Sequence, residues 1–379
     1  MSLLRSRSNK FIFFLVLLTG CGGGGSDPEP VVDPLDRVPM LTNWVDNIII
    51  PSYDNFNAKL EAMNTRGDAF MATPTLTTLT DFRSAWIEAY AEWQRVELFE
   101  FGPGDRNTIR NFFNIYPADE AGIAQNFSDP NANLALPVAY SRQGFPALDY
   151  LINGLAATDE EILSLYTSDT DAPKRLAYLK RLTDRMKSIL STVISEWKGS
   201  YRNTFISQTG LDIGSSTSNV VNSYVLNYER FIRSGKIGIP SGAMTSSGGV
   251  KHPEKVEAYY KRDLSLTLAK AAHQASIDFF NGKYASSATE GPSLKSYLNA
   301  LDAKDAASGT ALAQIINGQF TTVNSKFALL GENLYDQVTN NNQPMIDTYN
   351  ELQKAVRMLK VDMTSAMSIT ITYTDNDGD

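Results

Sequence analysis

The segment Gln143-Gly-Phe-Pro-Ala-Leu-Asp149 comes closest, in residue type and spacing, to a metal-holding motif. Were it to read Gly-x-His-x-x-Glu, an imidazole and a carboxylate would stand three positions apart on one helical face, near enough to share a cation. The chain has Pro146 and Asp149 at those two places. A pyrrolidine ring carries no donor atom, so imidazole chemistry is excluded here. The plainer reading is helix initiation, in which a proline opens the first turn and an acidic side chain follows it.

The remaining residues that could do chemistry are few. His252 and His273 are the two histidines, and neither has a second strong ligand at zinc spacing. His252, ahead of Pro253, reads as a helix N-cap; His273, within an amphipathic stretch, reads as a packed or surface residue. There is no His-Glu-x-x-His and no Gly-x-Ser-x-Gly elbow. The tail Asp375-Asn-Asp-Gly-Asp379 starts like a calcium loop but stops before twelve residues are complete, so it reads as a frayed acidic terminus. No catalytic residue, metal ligand or cofactor is predicted. On the helix before Gly102, Tyr90, Gln94, Glu97 and Phe101 fall at i, i+4, i+7 and i+11, a polar pair between aromatics that can line a cleft or form a solvated flank.

Several longer blocks surround these residues. They are Trp86-Ile-Glu-Ala-Tyr-Ala-Glu-Trp-Gln-Arg-Val-Glu97, Phe101-Gly-Pro103, Tyr116-Pro-Ala-Asp119, Tyr228-Glu-Arg-Phe-Ile-Arg-Ser-Gly-Lys-Ile-Gly-Ile-Pro240, His252-Pro-Glu-Lys-Val-Glu-Ala-Tyr-Tyr260 and Leu359-Lys-Val-Asp-Met363. Over nearly the whole mature chain they resemble the imelysin-like family of bacterial envelope proteins. The resemblance implies two helical bundles, a link to iron acquisition, and a Gly-x-His-x-x-Glu site whose shell matches Glu97, Tyr116, Asp119 and Asp149. Arg142 and Gln143 precede Gly144, where a missing side chain permits close approach. Turned into the cleft, Arg142 could pair with Asp149 or Glu97 and put a fixed cation in place of a bound one. The predicted ligand-binding set is therefore Glu97, Tyr116, Asp119, Arg142, Gln143, Gly144, Pro146 and Asp149. The family also carries a peptidase label, against which stands the loss of imidazole at Pro146.

The N-terminus carries its own message. Arg5 and Arg7 precede the apolar run Phe11-Ile-Phe-Phe-Leu-Val-Leu-Leu18, a signal-like segment too short to span a bilayer permanently. It leads to Leu17-Leu-Thr-Gly-Cys21, which reads as a lipobox, with residues 1–20 removed and Cys21 carrying lipid. Cys21 is the only cysteine, so stability must come from a hydrophobic core. Residues 21–39 are rich in Gly and Pro and read as a flexible tether. Gly22 after the lipidated residue resembles Gram-negative outer-membrane sorting. The net charge of -8, with no Lys/Arg cluster in the sequence, argues against a nucleic-acid partner and a polybasic membrane-surface role.

Helical periodicity dominates the remainder, predicting an all-α, four-helix-bundle-like pair of domains over 40–212 and 213–379. One predicted helix starts at Thr78 with Asp81 completing a capping box and stops at Gly102-Pro-Gly104. Another follows Asp171-Ala-Pro173, burying Leu176, Leu179, Leu182, Met186, Ile189, Leu190, Val193 and Trp197. Further helices are predicted over Val220–Arg233, Pro253–Asn281 with Gly282 as its stop, Ser293–Asp302, Ala311–Thr339 and Pro344–Met367. Ser368–Tyr373 alternates and is β-branched, which predicts a short terminal strand. The function these features imply is a non-enzymatic, lipid-anchored envelope protein that binds a ligand or partner between the bundles and serves iron acquisition. Its partners would be the membrane through Cys21 and an iron-uptake transporter or other envelope protein. Two alternatives are a metallopeptidase using Asp149, Glu97 and Asp119 around a divalent cation, and a structural module docking on an outer-membrane transporter.

Overall fold

The long helices follow the apolar periodicity of the chain. In the computed structural model, which describes residues 35–244 and 247–374, the principal helices are α1 (Ile50–Ala72), α2 (Leu76–Trp93), α3 (Ala172–Glu196), α4 (Ser216–Leu226), α5 (Ser265–Asn281), α6 (Leu312–Phe327) and α7 (Gln343–Arg357). No sheet occurs among the described residues, only isolated bridges at Lys283–Glu290 and Lys304–Ala311, so the fold is all-α. On α3 the predicted stripe is buried at Leu179, Leu182, Met186, Leu190 and Val193, with Trp197 just beyond the helix. Each such side chain contributes roughly 1.5–3 kcal/mol on burial. Helix α1 packs on α2 and α3, and α6 packs on α7. From Asp36 onward the chain is one compact unit. The predicted signal segment, Cys21 and the acidic tail Asp375–Asp379 lie outside the described residues.

Several element boundaries differ from the sequence expectation, each for a local reason. The capping box of α2 is formed by Thr75 and Thr78 rather than Thr78 and Asp81, one turn earlier. That helix ends at Trp93, and Glu97 lies in a separate 3-10 turn over Glu97–Phe99, so Tyr90, Gln94, Glu97 and Phe101 do not share one helical stripe. The predicted Pro253–Asn281 helix forms only from Ser265, after extended chain and short turns, because backbone donors in this stretch are captured by a side chain described below. Gly282 does stop α5, at φ +77° in the left-handed region. The predicted Ala311–Thr339 helix is split into α6 and Leu334–Asn340. Ser368–Tyr373 is not a strand: Asn222 of α4 takes the place of a partner strand, its Nδ2 donating to Thr370 O and its Oδ1 accepting from Thr372 N.

One element runs past its predicted end at Arg233 and in a different geometry. Asn227–Gly238 continues α4 as a π-helix of 12 residues, with Glu229, Arg233 and Lys236 all buried. Such wide turns are rare and concentrate at functional places. This one carries Lys236 into the buried interior.

Candidate functional site

Five polar side chains from distant parts of the chain meet around Lys236. Its side chain is 1% exposed, as is that of its ion-pair partner Glu257. Lys236 Nζ donates to Gln94 Oε1 at 2.8 Å and also to Glu257 Oε2. Gln94 completes a triangle, its Nε2 donating to Glu257 Oε1 at 3.1 Å. Asn114 Nδ2 bridges the two carboxylates, 2.8 Å from Glu257 Oε1 and 2.9 Å from Glu97 Oε1. Tyr90 donates its hydroxyl to Asn114 Oδ1 at 2.6 Å, which fixes the amide with its nitrogen toward the carboxylates.

The network is buried, charged and nearly satisfied. Burying a lone carboxylate is costly, and the ammonium of Lys236 offsets that cost for Glu257. Glu97 receives a further bond from Trp93 Nε1 at 3.3 Å, but its Oε2 is buried without a partner. The Tyr90 and Tyr116 hydroxyls are held well above the ordinary tyrosine range, first by burial and then by the charge of Glu257. Tyr116 is half-buried as a residue, with its hydroxyl end enclosed beside Gly235, where an added Cβ would come within 3.1 Å.

The predicted site residues divide into two groups. Glu97 belongs to the network and Tyr116 stands beside it. The others do structural work nearby. Asp119 caps a short helix by accepting from Gly122 N and pairs with Arg142 Nε at 2.8 Å, so Arg142 turns to Asp119 and not to Asp149 or Glu97. Lys236 is the fixed cation that Arg142 was expected to supply. Gln143 is buried, donating to Leu134 O and Ala139 O and accepting from Arg185 Nε. Gly144 has φ +75°, and a Cβ there would lie 2.3 Å from Phe113 O, so both conformation and close approach require glycine. Pro146 is buried within Gly144–Asp149.

Asp149 is a staple. Its Oδ2 accepts from Tyr260 N at 2.9 Å, and its Oδ1 accepts from Lys261 N and Asn153 Nδ2, both at 3.0 Å. Burial pushes its carboxyl up to about 7, against the opposing pull of these donors. The capture of two backbone donors is what keeps the segment before α5 out of a helix. The histidines take no part in the network. His252 occupies the N-cap position of a short turn with its ring against Glu254, while His273 is packed inside between the Tyr228 hydroxyl and Phe320 O. Burial lowers His273 to about 4, so its ring is neutral near pH 7.

The arrangement does not fit the divalent cation that a Gly-x-His-x-x-Glu site implies. Among the described residues, no three His, Cys, Asp or Glu side chains converge to hold a metal ion. Asp149 is engaged by amide donors, Glu257 by an ammonium, and Pro146 offers no donor. Sequence reading missed Asn114, Lys236 and Glu257. The available signal was Lys236 itself, a single cation set among Gly and Ile in Gly235-Lys-Ile-Gly-Ile239.

Comparison with known proteins agrees with this fold. The sequence model of the imelysins, peptidase family M75, matches residues 49–362. Iron-regulated protein A of Synechococcus elongatus is 28% identical over 119 residues, a stretch covering 31% of this chain and 32% of that protein. The match thus spans about a third of the curated relative's length. Among solved structures, one described as an iron-regulated protein A precursor from Parabacteroides distasonis superposes with a TM-score of 0.67 at 18% identity, covering 86% of this chain and 95% of that one. An imelysin-like protein from Psychrobacter arcticum gives 0.67 at 17% identity, covering 89% and 97%.

Proposed function

Because the chain belongs to the imelysin family, we propose that it is a non-enzymatic binding component of the bacterial envelope, tethered through lipid on Cys21 and serving iron acquisition. Ligand or partner recognition takes place beside the Lys236 network, at Tyr116 and Glu97. The observation that carries this reading is the internal charge balance of the network. Lys236 neutralises Glu257 where a bound cation would otherwise be needed, and Pro146 removes the imidazole. Water activation by a metal needs an open coordination position and a stable donor set, which these residues do not supply. The iron link rests on the printed descriptions of the relatives in Synechococcus and Parabacteroides.

The test uses the full lipoprotein purified in detergent from its native host. Elemental analysis should find substoichiometric zinc, and casein or peptide mixtures should show no chelator-sensitive cleavage. In cells, deletion should lower radioactive iron accumulation, and Cys21→Ala should fail to restore it. Stoichiometric zinc, or proteolysis abolished by Asp149→Asn, would replace this reading with a metallopeptidase. Unchanged iron accumulation in the deletion strain would remove the iron role.

A further inference from the structure

A cavity of about 510 Å³ lies between the two halves of the chain, and no side chain of the Lys236 network lines it. Helix α1, the end of α2 and the turns after it form one side; α5 and the loop beyond Gly282 form the other. That loop is fastened to the first half, with Ala285 N donating to Asn47 O at 2.9 Å. Four charged side chains in the wall alternate in sign. Arg95 Nε lies 3.4 Å from Glu92 Oε2, Arg95 Nη1 lies 3.6 Å from Asp278 Oδ2, and Lys283 Nζ lies 3.4 Å from Asp278 Oδ1. The side chains of Glu92, Arg95, Asp278 and Lys283 are 20%, 46%, 18% and 40% exposed, so none is sealed off from a solute. Each separation exceeds the roughly 2.7–2.9 Å of a charge-assisted hydrogen bond. Among the described residues, neither the Glu92 carboxylate nor the Arg95 guanidinium makes a hydrogen bond. Burial raises the Glu92 carboxyl above its ordinary range, against the opposing charges of Arg95 and Lys59.

The alternation selects the kind of molecule that fits. An anion drawn to Arg95 also meets Glu92 and Asp278, and a cation drawn to Asp278 also meets Arg95 and Lys283, so either charge alone is opposed by its like. A molecule carrying both signs exchanges the long ion contacts for short hydrogen-bonded ones and leaves the charge balance of the wall unchanged. The row starts with an acid and ends with a base, with a donor and an acceptor between them. We propose that the cavity binds a short peptide with free termini, its ammonium on Glu92, its carboxylate on Lys283 and the amide between them on Arg95 and Asp278. Arg95 donates to the peptide carbonyl, and Asp278 Oδ2 accepts from the peptide N–H. The adjoining Ala275, Ala285 and Ala288 add no charge, which suits a peptide of small, uncharged residues. The volume falls within the range of roughly 300–1,000 Å³ typical of small-ligand sites. The site does not depend on the reading of the Glu97 network.

The test is isothermal titration of the full-chain lipoprotein in detergent with dialanine and trialanine, each also with an acetylated N-terminus or an amidated C-terminus, beside alanine, acetate and methylammonium. At least one free peptide should bind, and about tenfold or more tightly than its blocked forms, alanine or either single ion. The blocked forms read out the two ends without altering the protein. Glu92→Gln should weaken the free peptide about tenfold yet leave the N-acetylated form unchanged, and Lys283→Gln should weaken it similarly yet leave the amidated form unchanged. Both variants should keep the thermal unfolding transition of the parent. No binding of either free peptide, equal binding of a blocked peptide or of alanine, or a loss in either variant that is the same for free and blocked peptides would overturn the proposal.

Discussion

Asp149 and Glu257 are both buried carboxylates that tie distant segments together, yet the molecule satisfies them in opposite ways. Glu257 meets an ammonium and two side-chain amides, so its charge is balanced where it lies. Asp149 meets only neutral N–H donors, and burial drives its carboxyl up to about 7. Dipoles can orient a carboxylate without fully offsetting its desolvation; a fixed cation can do both. The first arrangement makes a permanent internal salt link, and the second makes a fastening whose strength follows pH.

The largest test of that contrast removes the cation. Lys236→Met leaves Glu257 buried and unpaired, and should cost about 3–5 kcal/mol in urea denaturation at neutral pH. Adding Glu257→Gln should recover much of the loss, since a charge no longer needs burying. If Lys236→Met costs little alone, Glu257 is not held as described.

A middle-sized effect concerns pH. Asp149 titrates near 3.8 when unfolded and at about 7 in the fold. Its contribution is therefore fully present below about pH 4, where both states carry the proton. Between about pH 4 and 7 only the folded state holds it, so stability falls by up to about 1.4 kcal/mol per pH unit from this group. Asp149→Asn should remove this component, so that the variant's stability varies less with pH than the parent's and the two denaturation profiles converge or diverge across that window. Parallel profiles would show that Asp149 stays ionised.

The smallest effect is expected at Glu97. Glu97→Gln keeps the Oε1 acceptor used by Asn114 and Trp93 and alters the oxygen that has no partner. Thermal denaturation should shift by no more than the equivalent of about 1 kcal/mol. A much larger loss would mean that the charge of Glu97, and not only that of Glu257, is part of the balance with Lys236.

The same contrast marks what was legible in the sequence. Helix α3 was readable because its apolar stripe repeats at helical spacing over many turns, and Gly282 because a stop needs only local geometry. The close approach at Gly144 was also anticipated from residue type. Lys236 and Gln94 are 142 positions apart, and nothing local to either announces the other. The length of α2 was overestimated because Gln94, Glu97 and Phe101 keep helical spacing after the helix has ended. Arg142 was assigned to the wrong acid because Asp119, its actual partner, is fixed by a short helix whose start depends on three-dimensional context. The alternation over Ser368–Tyr373 was real, but a strand needs a neighbour, and Asn222 satisfies the backbone instead.

The wide turns of Asn227–Gly238 impose an arithmetic on this part of the chain. Were one residue lost there while the wide pitch was kept, every later side chain would rotate by roughly a quarter turn around the axis. Lys236 would swing away from Glu257, and the Ile237–Pro240 stretch would present a different side to its neighbours. Substitution of individual letters in this stretch is therefore a lesser hazard than a change in their number, and the internal salt link functions as a ruler for its length.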